Sequence, residues 1–234
     1  LLDTPAWILG SGKDAPVGEE IEKLSEGKAL NLCGNTSLEQ AIDLIAGARA
    51  DAPDADKADH AHMHHSFSGA ERWAKVFDDP ERDKWQKPHE VISALKLPAD
   101  ASVADIGAGT GYFAVRFAHM LPKGRVYGVD LEPDMVKYLA DRAKKEGLAN
   151  LVAIAGAPDD PRLPEKADLI IMVDVYHHLS NREAYLRRLA GSLKPGGRIA
   201  IIDFRMDSPA GPPKSARLAP GKVKDEFARA GYTL

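Results

Sequence analysis

Residues 103–113 read VADIGAGTGYF: an apolar run holding the acid Asp105, then Gly107, Gly109 and Gly111 at every second position. Glycines spaced this way let a turn use positive φ and let a ligand lie against bare main chain. The loop follows a strand-like run and opens a helix-like one. In open α/β sheets that is the place where ligands bind, outside the carboxyl ends of the strands. Two ligand classes compete for it. The dinucleotide pattern G-x-G-x-x-G seats a pyrophosphate on a helix N-terminus. Here the third glycine comes one residue early, and Tyr112 stands in its place. Asp105 would repel a pyrophosphate and attract an ammonium group. Asp130 closes the run VYGVD nineteen residues after Gly111, where an acid accepts hydrogen bonds from ribose hydroxyls. A blander reading has Gly107 and Gly111 serving a tight turn and Asp130 capping the next segment.

These residues need a sheet to hold them. Strand-like runs at 102–106, 125–129, 151–155, 168–173 and 198–203 alternate with helical stretches at 111–120, 134–146 and 181–192. Further helices are expected over 69–78, 88–96 and 220–230, and KPGG at 194–197 reads as a turn. VADI, VYGV, LIIMV and IAII are nearly uninterrupted and β-branched, as strands buried on both faces should be. The expected fold class is α/β, with a Rossmann-like, doubly wound, mostly parallel sheet. A net charge of −4 gives no basic excess for nucleic acid or an anionic membrane. No apolar run approaches the ~20 residues of a membrane span. The single Cys33 excludes an intrachain disulfide framework and fits a reducing, cytoplasmic compartment. The start, LLDTPAWILG, has neither a basic n-region nor an initiator Met, so it reads as the interior of something longer.

A ligand with a ribose and a cationic amino-acid end matches S-adenosyl-L-methionine, whose sulfonium is positive. Residues 68–234 resemble a class I S-adenosylmethionine-dependent methyltransferase. VADIGAGTGYF is similar to that family's first motif, VYGVDLEPDMV to its second and LKPGGRIAIIDF to its strand-five region. VFDDPERDKWQKPHEVI resembles the lead-in of a bacterial branch acting on small molecules. The resemblance implies that Asp105 and the main chain of Gly107, Ala108, Gly109 and Gly111 hold the methionine amine and carboxylate. It implies that Asp130 binds the ribose, with Leu131 against the adenine. Ala157 stands where the family often has an acid, so the adenine contact shifts to Asp159 or Asp160. Trp85 would wall the pocket, unless Trp73, Phe77 and Trp85 form a helix-to-sheet core instead. Two other readings stay open: an NAD(P)-dependent oxidoreductase, and a truncated or fused chain that binds cofactor without turnover.

Methyl transfer needs alignment and dryness, and a base only when the acceptor arrives protonated. The base is expected at the end of the fourth strand, in IMVDVYHHLS, from Asp174, Tyr176, His177 or His178. Asp174 doubles there as a cofactor contact. The alternative is that Asp174 and His178 pack or cap the following helix. Arsenic acceptors need several cysteines in this family, so the expected partner is another small-molecule methyl acceptor.

Three regions are expected. Residues 1–49 resemble a fragment of a lipopolysaccharide heptosyltransferase, carried by WILGSGKD and NLCGNTSLEQAIDLIAGA. They read as strand (7–12), helix (15–26), strand (29–34) and a helix capped by Ser37 and Gln40. So short a piece cannot hold donor and acceptor, and no glycosyl transfer is expected of it. Its strands would add to the main sheet, associate with another copy or stay poorly packed. Residues 50–67 form a linker whose HAHMHH (60–65) is read as solvated, with no metal site. Residues 68–234 are the methyltransferase-like domain. Its C-terminal strand pair is expected to be truncated, leaving a hydrophobic edge on the 198–203 strand that would favour a homodimer.

Overall fold

The computed structural model describes residues 67–208 and 211–233, together with the backbone of a strand at Ala6–Gly10. That strand is β1. It is followed by helices α1 (Ala70–Phe77), α2 (Arg82–Gln86) and α3 (Pro88–Ala94). Then come β2 (Ser102–Ile106), α4 (Tyr112–Met120), β3 (Arg125–Asp130), α5 (Pro133–Lys145) and β4 (Leu151–Ala155). The second half holds β5 (Ala167–Val173), α6 (Arg182–Ala190), β6 (Leu193–Ile202) and α7 (Pro220–Arg229).

The sheet order is β1-β6-β5-β2-β3-β4, with β2 to β6 mutually parallel. From β2 the chain builds outward through β3 and β4, then crosses back to build β5 and β6 on the other side. The carboxyl ends of β2 and β5 therefore flank the point where strand order reverses, which is where such sheets open a crevice. Successive residues of β5 face opposite layers. Leu169, Ile171 and Val173 join Phe113, Phe117 and Leu139 from α4 and α5, whereas Ile170 and Met172 join Leu186 and Phe227 from α6 and α7. This two-residue alternation explains the unbroken apolar runs in the sequence.

Two expectations are corrected. KPGG is a bulge within β6, not a turn before it. The β5–β6 pairing steps from Ala167↔Leu193 to Leu169↔Arg198, so the intervening residues of β6 are pushed out of the ladder. Pro195 has no N–H to give, and Gly196 adopts φ 78°, which together release the strand locally. The outer edge of β6 is also not open. β1 runs antiparallel along it, from Ala6↔Ile202 to Gly10↔Arg198, and the edge argument for a homodimer falls with it. Of the leading segment's fates, the strand at Ala6–Gly10 takes the first and adds to the sheet. The helices and second strand read within 11–49, and the histidines at 60–65, lie outside the described residues.

Candidate active site

Four acids stand at or near the carboxyl ends of four strands. Asp105 lies in β2, Asp130 ends β3, Asp174 follows β5 and Asp203 follows β6. Asp105 is buried at 3% exposure. Burial first, and the Asp130 charge second, push its carboxyl up to about 7, against a main-chain bond from Ala114 and the Arg82 charge. Burial also pushes Asp130 up, opposed by N–H groups of Glu132 and Gly109.

Asp130 fastens the glycine loop. Its Oδ2 accepts the Gly109 N–H at 2.7 Å and its Oδ1 the Glu132 N–H at 3.0 Å. The N–H groups of Gly107 and Ala108 donate to Val129 O at 2.8 and 3.0 Å, and that of Gly111 to Ala108 O at 2.9 Å. All four donors expected to face a ligand are thus used inside the loop. The bareness of two glycines also answers to protein. A Cβ on Gly107 would fall 2.3 Å from Val175 Cγ2, and one on Gly111 would fall 2.4 Å from Leu139 Cδ1. Gly109 is different, since its nearest neighbour would be the Phe77 ring at 3.4 Å.

After β5 the chain turns at Asp174, which adopts φ 57° and whose N–H donates to Ile202 O at 2.8 Å. A non-glycine residue in this region is uncommon and marks a backbone held by its surroundings. Burial pushes the Asp174 carboxyl up to about 6, with Arg82 opposing and Asp203 adding. Tyr176–His178 then form one 3₁₀ turn, in which successive side chains diverge by a third of a turn. That divergence corrects the expectation for Tyr176. Its side chain is fully buried, its hydroxyl donates to Glu226 Oε2 at 2.8 Å, and its ring packs 5.8 Å from Phe227. His177 turns to β6 instead. Its Nδ1 lies 2.7 Å from Asp203 Oδ1, and its main-chain N–H donates to Asp203 Oδ2 at 3.0 Å. The His178 ring lies 4.0 Å from that of His177 and 5.9 Å from that of Phe67.

The segment before β2 covers this cradle. Phe67, Trp73 and Phe77 form an aromatic cluster, with Trp73 stacked on Phe77 at 5.2 Å. The Phe67 N–H donates to Glu132 Oε1 at 2.9 Å, and the N–H groups of Gly69 and Ala70 donate to Asp134 Oδ2. In α2, Arg82 reaches inward. Its guanidinium lies 4.0 Å from the Tyr112 ring and 5.8 Å from the Trp85 ring, and its Nη2 lies 3.5 Å from Asp174 Oδ2. Trp85 therefore sits beside Arg82, apart from the Trp73–Phe77 stack. Three buried side-chain atoms among the described residues have no hydrogen-bond partner: Arg82 Nε, Gln86 Nε2 and Thr110 Oγ1.

On the adenine side, Leu131 is exposed just past β3. Ala157 pairs through its main chain with Asp160, while Asp159 and Asp160 face Arg188 at 4.0 and 3.1 Å. Among the described residues no group of three or more His, Cys, Asp or Glu is arranged to hold a metal ion.

Sequence reasoning passed over Asp203 and Arg82. Asp203 ends the apolar run RIAIID just as Asp130 ends VYGVD, and that shared position was the available signal. Nothing in the spacing of PERDKWQ marks Arg82, because the Tyr112 ring and the Asp174 carboxylate that it meets lie far along the chain.

Residues 98–230 match the family model described as a methyltransferase domain. A SAM-dependent methyltransferase from Aquifex aeolicus superposes with a TM-score of 0.64 at 28% identity, over 70% of this chain and 88% of its own. The ubiquinone/menaquinone biosynthesis C-methyltransferase of Cupriavidus taiwanensis is 30% identical over 103 residues, which are 44% of this chain and 42% of that one. The 27-O-demethylrifamycin SV methyltransferase of Amycolatopsis mediterranei is 33% identical over 153 residues, 64% of this chain and 54% of that one. The chain spans about half the length of these curated relatives.

Proposed function

We propose that this chain, which belongs to the methyltransferase domain family, moves a methyl group from S-adenosyl-L-methionine to a small-molecule acceptor. The observation that carries the reading is the charge of the cradle. Buried Asp105 and half-buried Asp130 and Asp174 surround a loop whose N–H groups at Gly107, Ala108, Gly109 and Gly111 already have partners. A diphosphate would meet acids and find those donors spent. A sulfonium and an ammonium meet the charge they need. These residues therefore fit the cofactor.

When bound, the cofactor supplies a methyl carbon with a thioether as leaving group. The residues of this chain do the rest. Asp105 and Asp174 hold the amino end, Asp130 takes the ribose hydroxyls, and Leu131 and the chain near Ala157 and Asp159 border the adenine. The aromatic cluster and Trp85 keep water from the cradle, which is most of what an in-line transfer asks of a protein. His177 is the proton acceptor. An ionised Asp203 can only accept a hydrogen bond, so it fixes the proton on Nδ1 and leaves the Nε2 lone pair for an acceptor hydroxyl or amine. Asp203 is a positioning residue in this scheme. We place the protein in the cytoplasm as part of the same proposal. Among the described residues no helix is long and apolar enough to cross a membrane.

Calorimetric titration with S-adenosylhomocysteine and with NAD tests the cofactor. Binding of the first and not the second is expected, and the reverse would sink the proposal. Incubation with methyl-labelled cofactor and a panel of phenols, quinols and small carboxylic acids tests turnover. Label transferred to at least one acceptor is expected. Binding with no transfer to any of them would favour the reading as a chain without turnover.

A further inference from the structure

We propose that Arg82 is the anchor for the carboxylate of the methionyl group, with the amide of Gln86 beside it. This rests on the cofactor reading above and adds to it the half of the amino acid that the acids cannot hold. An α-amino acid brings both signs of charge. Asp105 and Asp174 serve the ammonium, but the carboxylate needs donors. The glycine loop does not offer them at Gly107, Ala108, Gly109 or Gly111, since those N–H groups are bonded to Val129, Asp130 and Ala108.

Arg82 is a buried cation left half-satisfied. Its side chain is 13% exposed. Nη1 donates to Phe77 O at 3.1 Å, Nη2 donates to Gln86 Oε1 at 3.4 Å, and Nε has no partner. Its carboxylate neighbour, Asp174, stands off at 3.5 Å, longer than the charge-assisted bonds of well-made pairs. Burying a guanidinium in such company costs free energy that the Tyr112 ring at 4.0 Å offsets only in part. Gln86, at 0% exposure, turns its oxygen to Arg82 and leaves its NH₂ without an acceptor. Thr110, within the glycine loop and 1% exposed, has an unbonded hydroxyl. Two of these three spare donors lie one turn apart on α2, the helix whose Arg82 also covers Tyr112 just after the loop. A planar guanidinium with a free edge is the side chain best shaped for a carboxylate.

The test uses two ligands that differ only in the carboxylate: S-adenosylhomocysteine and its decarboxylated form, 5′-deoxy-5′-(3-aminopropylthio)adenosine. The wild-type chain should prefer the first by about 10- to 100-fold, the range of a hydrogen-bonded charge. Arg82→Gln should remove most of that preference while changing affinity for the decarboxylated form less than about twofold. Arg82→Lys should keep an intermediate preference. Equal weakening of both ligands in Arg82→Gln would overturn the assignment, because it would make Arg82 a purely structural residue. A wild-type chain that binds both ligands equally would overturn it too, and that arm needs no variant to fold. Failure of the wild type to bind either ligand would instead defeat the cofactor reading itself.

Discussion

Arg82 and Arg182 are both largely shielded from solvent, at 13% and 18% side-chain exposure, and both lie near a tyrosine ring and a carboxylate. Arg182 gives Nε and Nη2 to the two oxygens of Glu226 at 2.8 and 2.9 Å, and Tyr176 adds its hydroxyl at 2.8 Å. That network closes on itself and ties α7 to the turn after β5. Arg82 meets Asp174 only at 3.5 Å and keeps Nε unbonded. The carboxyls respond in opposite senses. Against the push of burial, Arg182 and Tyr176 hold Glu226 below the usual carboxylate range, while burial leaves Asp174 pushed up to about 6. A closed polar network serves the fold. An open one, beside the carboxyl end of β5, keeps a donor that no group among the described residues takes.

The sharpest way to break this comparison is Glu226→Ala. Removing one member of a buried pair strands the other, so unfolding free energy should drop by about 3–5 kcal/mol in a denaturant titration. Glu226→Gln, which keeps the shape, should leave S-adenosylhomocysteine affinity within about twofold if the network is structural only. A selective loss of ligand affinity there would erase the distinction between the two arginines. Next in size, Asp130→Ala should weaken S-adenosylhomocysteine by about 1–3 kcal/mol in calorimetry, since Asp130 fastens Gly109 and is the ribose contact in the proposed scheme. Asp203→Asn should lower methyl transfer roughly 10- to 100-fold, a share of the ~10²–10⁴ that a general base supplies, with cofactor affinity unchanged. An equal fall for acceptors that arrive deprotonated would remove His177 from the chemistry.

The smallest effect is one of pH. Asp105 and Asp174 have folded-state pKa values of about 7 and about 6, above the unfolded 3.8. Between those limits the folded state binds more protons than the unfolded one, so ligand-free stability should fall as pH rises from about 4 to about 7. Affinity for S-adenosylhomocysteine should run the other way, about tenfold stronger at pH 8 than at pH 6, because its ammonium needs the carboxylates ionised. Glu226 has the opposite sign: its contribution is complete above the unfolded pKa and fades as pH falls through the lower folded one. Thermal midpoints across pH, with and without ligand, would separate the two.

The strands were legible because each is an unbroken apolar run, and Asp105 and Asp130 because strand ends are where such sheets bind. Periodicity could not see pairings between distant segments. It missed the bulge in β6, where Pro195 and Gly196 look like a turn by composition, and it could not tell that β1 would seal β6. It also set Tyr176 beside His177 among the candidates. Neighbours in sequence, they are sent to opposite sides by a 3₁₀ turn, one to α7 and one to Asp203. Arg82 escaped notice because its role lies in the bonds it fails to make.

The covering segment has a practical corollary. Two of the chain's three tryptophans, Trp73 and Trp85, stand in it, one stacked on Phe77 above Gly109 and the other beside Arg82. Both indoles therefore sense the dielectric and the charges of the cradle. Intrinsic fluorescence should act as an unlabelled gauge of occupancy, quick enough to follow ligand arrival and departure in a stopped-flow cell.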